Sequence, residues 1–388
     1  MKKHQMKYAP IAILSLLVIF QAACRGSEYL ISTVAPQPSA TLTEESAPET
    51  PQSDALPTDA QSDTNQGLRN FVEIGASNAA DLIQVNSIGI GAPLADFFIA
   101  PEIEGYSLWV AVFNDGDTPA RLEHWDLYTN QVIRVLASGE INSPKSLSGT
   151  PDGGMLVTLD ESSVALWDVY SGKLPFDEFE YSPWFEEALI PPSTGMLLAV
   201  GYASTDGSLV LFDLNTYQMI DVWFHEDYVI DIDFSTDGAY LASGAANGTV
   251  KVIDVNSSAE TLSLSKDGWV DSVAIEVSPI QANGSGHILA TSVSGTITLM
   301  DIANRTQITD LAGHSSDVIG MDFSPNGEVL ASGDRGGLLK LWDVSSGNEI
   351  LSLNVGSGEI VRVAFSPDGT LLAAGTTDGR VTIWSVRE

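Results

Sequence analysis

Residues 318–354 read VIGMDFSPNGEVLASGDRGGLLKLWDVSSGNEILSLN. Val318–Phe323 is an apolar-rich run that predicts a strand. Ser324-Pro325-Asn326-Gly327 is a turn, because Pro presets φ and Gly accepts positive φ. Val329–Ser332 predicts a second strand and Leu338–Trp342 a third, with Gly336-Gly337 between them. Ile350–Leu353 predicts a fourth. Short strands separated by turn residues, with no helical period, specify an all-β unit.

The unit recurs along the chain. FSTDG (Phe234–Gly238) and FSPDG (Phe365–Gly369) repeat the turn FSPNG (Phe323–Gly327), and TPDG (Thr150–Gly153) is a weaker copy. The third strand ends in an aromatic or aliphatic residue plus Asp at Trp125-Asp126, Trp167-Asp168, Phe212-Asp213, Ile253-Asp254, Met300-Asp301 and Trp342-Asp343. A last copy ends in Trp384-Ser385. The ends are spaced by 42, 45, 41, 47, 42 and 42 residues, so seven units are expected.

These turns, strand ends and period resemble WD repeats, the four-stranded blades of a β-propeller. The resemblance covers residues 80–388 and is most marked over 228–388. It implies an all-β, seven-bladed β-propeller spanning 71–388. The chain stops just after the third strand of the last unit, so the outer strand of that blade is expected from the N-terminal side. Ala80–Asn86 resembles the other fourth strands and would close the ring, removing an open sheet edge.

Composition narrows the function. The chain has 388 residues, 17 Lys+Arg and 51 Asp+Glu, for a net charge of −34. Such a chain is repelled by phosphate backbones, which excludes nucleic-acid binding. A single cysteine excludes an internal disulfide framework and a thiolate metal cluster. That cysteine, Cys24, follows Lys2, Lys3 and Lys7, the apolar run Ala9–Phe20 and Gln21-Ala22-Ala23. This is the layout of an export signal. It resembles a bacterial lipoprotein signal, which implies cleavage after residue 23 and lipidation of Cys24, although Gln21 stands where that family usually has Leu. Residues 25–70 hold 17 Ser, Thr or Pro, seven acids and two bases, and read as a disordered tether. The expected location is the cell envelope, outside the cytoplasm, with the membrane reached through Cys24.

The chain carries no H-E-x-x-H, G-x-S-x-G or P-loop string. Asn114-Asp115-Gly116-Asp117 reads as a turn, since it lacks the bidentate Glu of a calcium loop. No enzyme, cofactor or metal is expected. The family resemblance implies a buried network of His, Ser, Asp and Trp in each blade. Here His314, Ser332 and Trp342 supply it in blade six, with Gly336 where the Asp is expected. Blade seven has Asp378 and Trp384, with Ala374 in place of the Ser. Polar pinning is therefore expected to be weak. His124, His225 and His287 read as surface or loop residues, and His4 leaves with the signal.

The resemblance also places partners on the face where inner strands begin. Aligning the strands on their turns puts Trp184 and Glu186 there in blade three, and Tyr228 and Ile230 in blade four. Blade five contributes Trp269 and Asp271, blade six Asp317 and Ile319, and blade seven Glu359 and Val361. Pro93, Ala95, Ser143 and Lys145 are the counterparts in blades one and two. Aromatics on blades three to five and acids onward to blade seven form one sector, suited to a protein with a basic patch. The expected product is a monomeric, lipid-anchored interaction platform. The alternatives are a propeller that binds a small ligand or carbohydrate in its channel, with or without catalysis, and a structural subunit of an envelope assembly.

Overall fold

The computed structural model describes residues 71–387, apart from 103–104, 115–118, 140, 142, 161–162, 174–184, 192–195 and 278–285. Cys24, the signal and the tether lie outside the described residues, as do Trp184 and the acids of Asp115–Asp117.

Seven antiparallel sheets form a ring of blades. Their inner strands are Leu94–Glu102, Pro144–Gly149, Phe185–Leu189, Val229–Phe234, Ser272–Val277, Val318–Phe323 and Ile360–Phe365. Each inner strand pairs with a second strand, which pairs with a third. The apolar clusters bridge adjacent blades. Ile88, Val381 and Ile383 of blade seven pack with Leu94, Leu108 and Val110 of blade one. Leu189, Ala199 and Leu209 of blade three pack with Val229, Ile232 and Phe234 of blade four. The seam that closes the ring is thus as apolar as an internal seam.

The recurring strings have defined local work. In FSTDG, Ser235 Oγ donates to Asp237 (2.7 Å) and Gly238 N–H donates to Ser235 O (2.7 Å), with Gly238 at φ 69°. The weak copy makes the same bonds, Thr150 Oγ1 to Asp152 (2.5 Å) and Gly153 N–H to Thr150 O (2.8 Å). The Asp that ends each third strand caps the bend to the outer strand. Asp343 Oδ1 accepts from Ser345 N–H and Ser346 N–H, both at 2.9 Å, and Asp126, Asp168 and Asp213 act alike. Ser385 replaces this Asp in blade seven, where the strand runs straight on as Arg380–Arg387.

Ring closure comes from the N-terminal side, along Ile83–Gly89, which pairs with Arg380–Ser385. The closing strand starts three residues later than Ala80 because Ala79–Asp81 form a 3-10 turn. A strap precedes that turn. Phe71 and Val72 pair with Arg387 and Val386, and Ile74 N–H donates to Gly369 O (2.9 Å). Ile74 and Ala79 are fully buried against Val329, Leu341 and Trp384 of blades six and seven. Asn326 Nδ2 donates to Ile74 O (3.3 Å), which explains Asn where the other turns carry Asp: a carboxylate has no proton to give.

Polar pinning is stronger than the sequence suggests. In blade six Trp342 Nε1–H donates to Ser332 Oγ (2.9 Å), Ser332 bonds His314 Nε2 (2.7 Å), and His314 Nδ1 bonds Asp334 (2.8 Å). Asp334, at the end of the second strand, supplies the acid expected at Gly336. Its other oxygen accepts from Gly336 N–H (2.9 Å) and Leu338 N–H (3.0 Å). In blade seven Asp378 accepts from Thr376 Oγ1 (2.5 Å) and Ser357 Oγ (3.3 Å), while Trp384 is buried in the seam to blade six. Blade two keeps the pair Trp167 Nε1–H to Thr158 Oγ1 (2.8 Å).

The remaining described histidines are engaged by neighbours: His124 and His287 are half-buried, and His225 lies in a loop, as expected, but a buried one. His124 stacks on Trp109 with ring centres 4.2 Å apart and bonds Ser107 (2.7 Å). His287 bonds Asp237 of the neighbouring blade (3.0 Å). His225 is buried and bonds Ser243 (2.7 Å) and Thr249 (3.1 Å), the place His314 takes in blade six. Burial, with the charge of Lys251, pushes the His225 ring down to about 4. A depressed base binds fewer protons when folded, so its stability contribution is lost as pH falls from about 6.5 to 4. The loss is about 3 kcal/mol by pH 4 for a shift of this size. His225→Gln should flatten that part of the urea midpoint profile; an unaltered acid limb would show that His225 does not carry it.

Candidate functional site

Several inner strands place a charge at their third residue. A β-bulge follows the first residue of six of the seven inner strands, as at Leu94/Asp96, Phe185/Glu187, Val229/Asp231 and Ile360/Arg362. The extra residue re-aims the side chain that follows it. Glu187, Asp231 and Arg362 thereby line a central cavity of about 480 Å³, together with Asp322, Ser272, Phe98 and Pro151.

These acids tie four of the blades to the next. Asp96 accepts from Leu147 N–H of blade two (2.7 Å), and Glu187 from Ile232 N–H of blade four (2.8 Å). Asp231 accepts from Val273 N–H (2.7 Å) and Ser272 Oγ (2.8 Å) of blade five, and Asp322 from Phe365 N–H of blade seven (2.7 Å). Arg362 Nη1 closes the circle on Asp96 (3.2 Å). Burial pushes the Asp96 carboxyl above its usual range against the pull of Arg362. Burial, then the neighbouring Asp231, hold Glu187 well above its usual range. The charged third residue in Leu-Ala-Asp96, Phe-Glu-Glu187, Val-Ile-Asp231 and Ile-Val-Arg362 was the sequence signal for this ring. Scattered among 51 acids, it carries no meaning until the strands are aligned around a channel.

The expected sector lies where the inner strands begin. Trp269 is 68% exposed and Tyr228 is 43% exposed, at the heads of adjacent blades five and four. Glu186 meets Lys145 Nζ at 3.1 Å, so this pair spans blades two and three. Asp271 accepts from Ser294 N–H (2.7 Å); burial, then the charge of Asp317, raise its carboxyl. Arg335 sits between Asp317 (3.6 Å) and Glu359 (3.4 Å) and joins blades six and seven. The acids of this sector are therefore partly neutralised, by Lys145, which the alignment of inner strands already puts on this face, and by Arg335, which it does not. Pro93 is exposed and Ala95 and Ser143 are half-buried, while Ile319 and Val361 line the cavity and Ile230 is half-buried. Among the described residues, no group of three or more His, Cys, Asp or Glu is placed to hold a metal ion.

Comparison with known proteins agrees with this geometry. The repeat described as "WD domain, G-beta repeat" matches residues 219–254, 305–343 and 347–385. Each match begins on or just before the outer strand of one blade and ends at or near the end of the third strand of the next, so the sequence repeat is offset by one strand from the blade. The chain is also similar to a WD repeat-containing protein, SL1-17, of Schistosoma mansoni, with 30% identity over 148 residues. That alignment covers 36% of this chain and 44% of the relative, so the chain spans less than half the length of the relative it matches. Three matched repeats within a ring of seven four-stranded blades make this chain an all-β, seven-bladed propeller with WD40 repeats.

Proposed function

We propose that the chain is a lipid-anchored, extracytoplasmic interaction platform that binds a protein partner and performs no covalent chemistry. Propellers with WD40 repeats are typically protein-interaction scaffolds. The observation that carries the reading is the exposed pair Trp269 and Tyr228 at one end of the ring. Large aromatics with a polar tip are the usual anchors of interfaces. Asp271, Asp317 and Glu359 continue the same end of the ring, and the net charge of −34 favours a partner with a basic patch. The layout around Cys24 supports a membrane anchor, with residues 25–70 as a spacer.

The test is capture from a membrane-protein extract on the full chain held in detergent. A parallel bait carries Trp184→Ala, Tyr228→Ala and Trp269→Ala together. A specific protein is expected on wild type and lost on the variant. Weaker capture at high salt would show that the acids steer the encounter. Equal capture on both baits sinks the aromatic face. Capture of nothing by either folded bait favours the second reading, a small ligand in the 480 Å³ cavity beside Arg362.

A further inference from the structure

The exposed pair Tyr228 and Trp269 has a third aromatic beside it. Phe224, 51% exposed, ends the outer strand of blade three, Gln218–Phe224, on the face where inner strands begin. Backbone hydrogen bonds fix its place relative to the other two. His225 N–H donates to Gly207 O and Glu226 N–H to Asp206 O, both at 3.0 Å, which holds the link between blades three and four against a loop of blade three. Ala246 N–H donates to Tyr228 O (2.8 Å) and Lys266 N–H to Gly248 O (2.8 Å), so one loop of blade four lies between Tyr228 and the link that carries Trp269. Phe224, Tyr228 and Trp269 thus follow one another across three adjacent blades. We propose that this arc binds an extended, arginine-bearing segment of a protein partner, each guanidinium lying on an aromatic face and pairing with a carboxylate beside it, a reading that rests on the interaction platform proposed above.

Charge selects the occupant. Along the same arc Asp206, Glu226 and Asp267 are exposed and Asp227 is half-buried. Asp206 accepts from Ser204 Oγ and Asp227 from Tyr228 N–H (2.9 Å), but among the described residues none of the four acids is in an ion pair. Other acids on this face are already matched, Glu186 with Lys145, and Asp317 and Glu359 with Arg335. Lys266 is the only Lys or Arg in the links and loops of the arc. It is half-buried, and burial pushes its amine below its usual range against the pull of Asp310. An incoming cation therefore meets ring faces and unpaired carboxylates together on blades three to five, and not on the acids toward blade seven. Arginine fits better than lysine, because its planar guanidinium stacks on a ring while its N–H edge forks to a carboxylate. An extended segment turns alternate side chains to one surface, so a single strand presents several guanidinia to the arc.

The probe is an end-labelled peptide alternating Arg and Gly, with a citrulline copy as its uncharged isostere. Each is titrated into the full chain in detergent at about 0.15 M ionic strength and followed by fluorescence anisotropy. Two variants address the arc separately, so misfolding of one leaves the other to decide. One carries Phe224→Ala, Tyr228→Ala and Trp269→Ala, the other Asp206→Asn, Glu226→Gln, Asp227→Asn and Asp267→Asn. Each is expected to weaken the arginine peptide by at least about tenfold, and the citrulline peptide is expected to bind wild type at least about tenfold more weakly. A charge-matched variant with Glu186→Gln, Asp271→Asn, Asp317→Asn and Glu359→Gln should change the affinity by less than about threefold, since those acids lie off the arc. An equal loss in the charge-matched variant, unchanged binding by the aromatic variant, or no binding by wild type would each overturn the proposal. The arc and the platform fail separately. Peptide binding with nothing captured from the membrane extract sinks the platform and leaves the arc, whereas capture lost on the aromatic bait without peptide binding sinks the arc and leaves the platform.

Discussion

Deleting residues 71–90 lowers the melting temperature by more than about 10 °C. Three buried isoleucines leave with the segment, Ile74, Ile88 and Ile90. Each buried side chain of this size contributes roughly 1.5–3 kcal/mol. Their joint loss corresponds to about 10 °C or more, at roughly 2 °C per kcal/mol for a domain this large. The deletion also strips the partner from the strand Arg380–Arg387, whose Val381, Ile383 and Val386 are buried in the native ring. An apolar edge of that kind pairs with other chains. Scanning calorimetry of the full chain against the deletion variant should therefore show both a lower transition and aggregation. An unchanged transition would mean that the ring does not depend on its N-terminal closing strand.

Asp334→Ala costs about 3 kcal/mol, since three donors lose their acceptor at roughly 1–3 kcal/mol for each that is left unsatisfied in the interior. His314 would lose the acceptor of its buried Nδ1–H, and the part-buried amides of Gly336 and Leu338 would lose theirs. Trp342 and Ser332 depend on the orientation of that histidine, so the damage extends to the blade's whole polar chain. Gly336→Asp, which restores the acid at the position expected from the repeat, should give no gain and cost about 1 kcal/mol, since like charges this close repel. A Cβ there would lie 3.1 Å from Asp334 Oδ1. Urea unfolding of the two variants separates the assignments. Stabilisation by Gly336→Asp, or a loss below about 1 kcal/mol in Asp334→Ala, would show that Asp334 is not the network's acid.

Much of the architecture is written locally. The FSPDG-type turns and the Asp at each third-strand end are satisfied by hydrogen bonds within two or three residues, so they are readable one unit at a time. Trp269 and Tyr228 were reachable in the same way, because their place depends on the start of one inner strand. Asp334 was not. Its role rests on a hydrogen bond to His314, twenty residues away on the preceding loop, and an acid two positions off the usual place can reach the same ring nitrogen. His225 was misjudged for a related reason. Its partners Ser243 and Thr249 lie on the next blade's second and third strands, and their hydroxyls are unremarkable in sequence.

Seven four-stranded units, their turns and the N-terminal origin of the closing strand are legible in the amino-acid order alone. Those features follow from periodicity and from bonds between near neighbours in the chain. Which charged groups share the channel is settled by the packed ring. Glu187 and Asp231 are 44 positions apart, and Asp96 and Arg362 are 266 apart. The bulges in their inner strands and the closure of the ring bring them to one channel. Charge interactions depend on distance through space and on access of water, and neither quantity exists until the blades have packed.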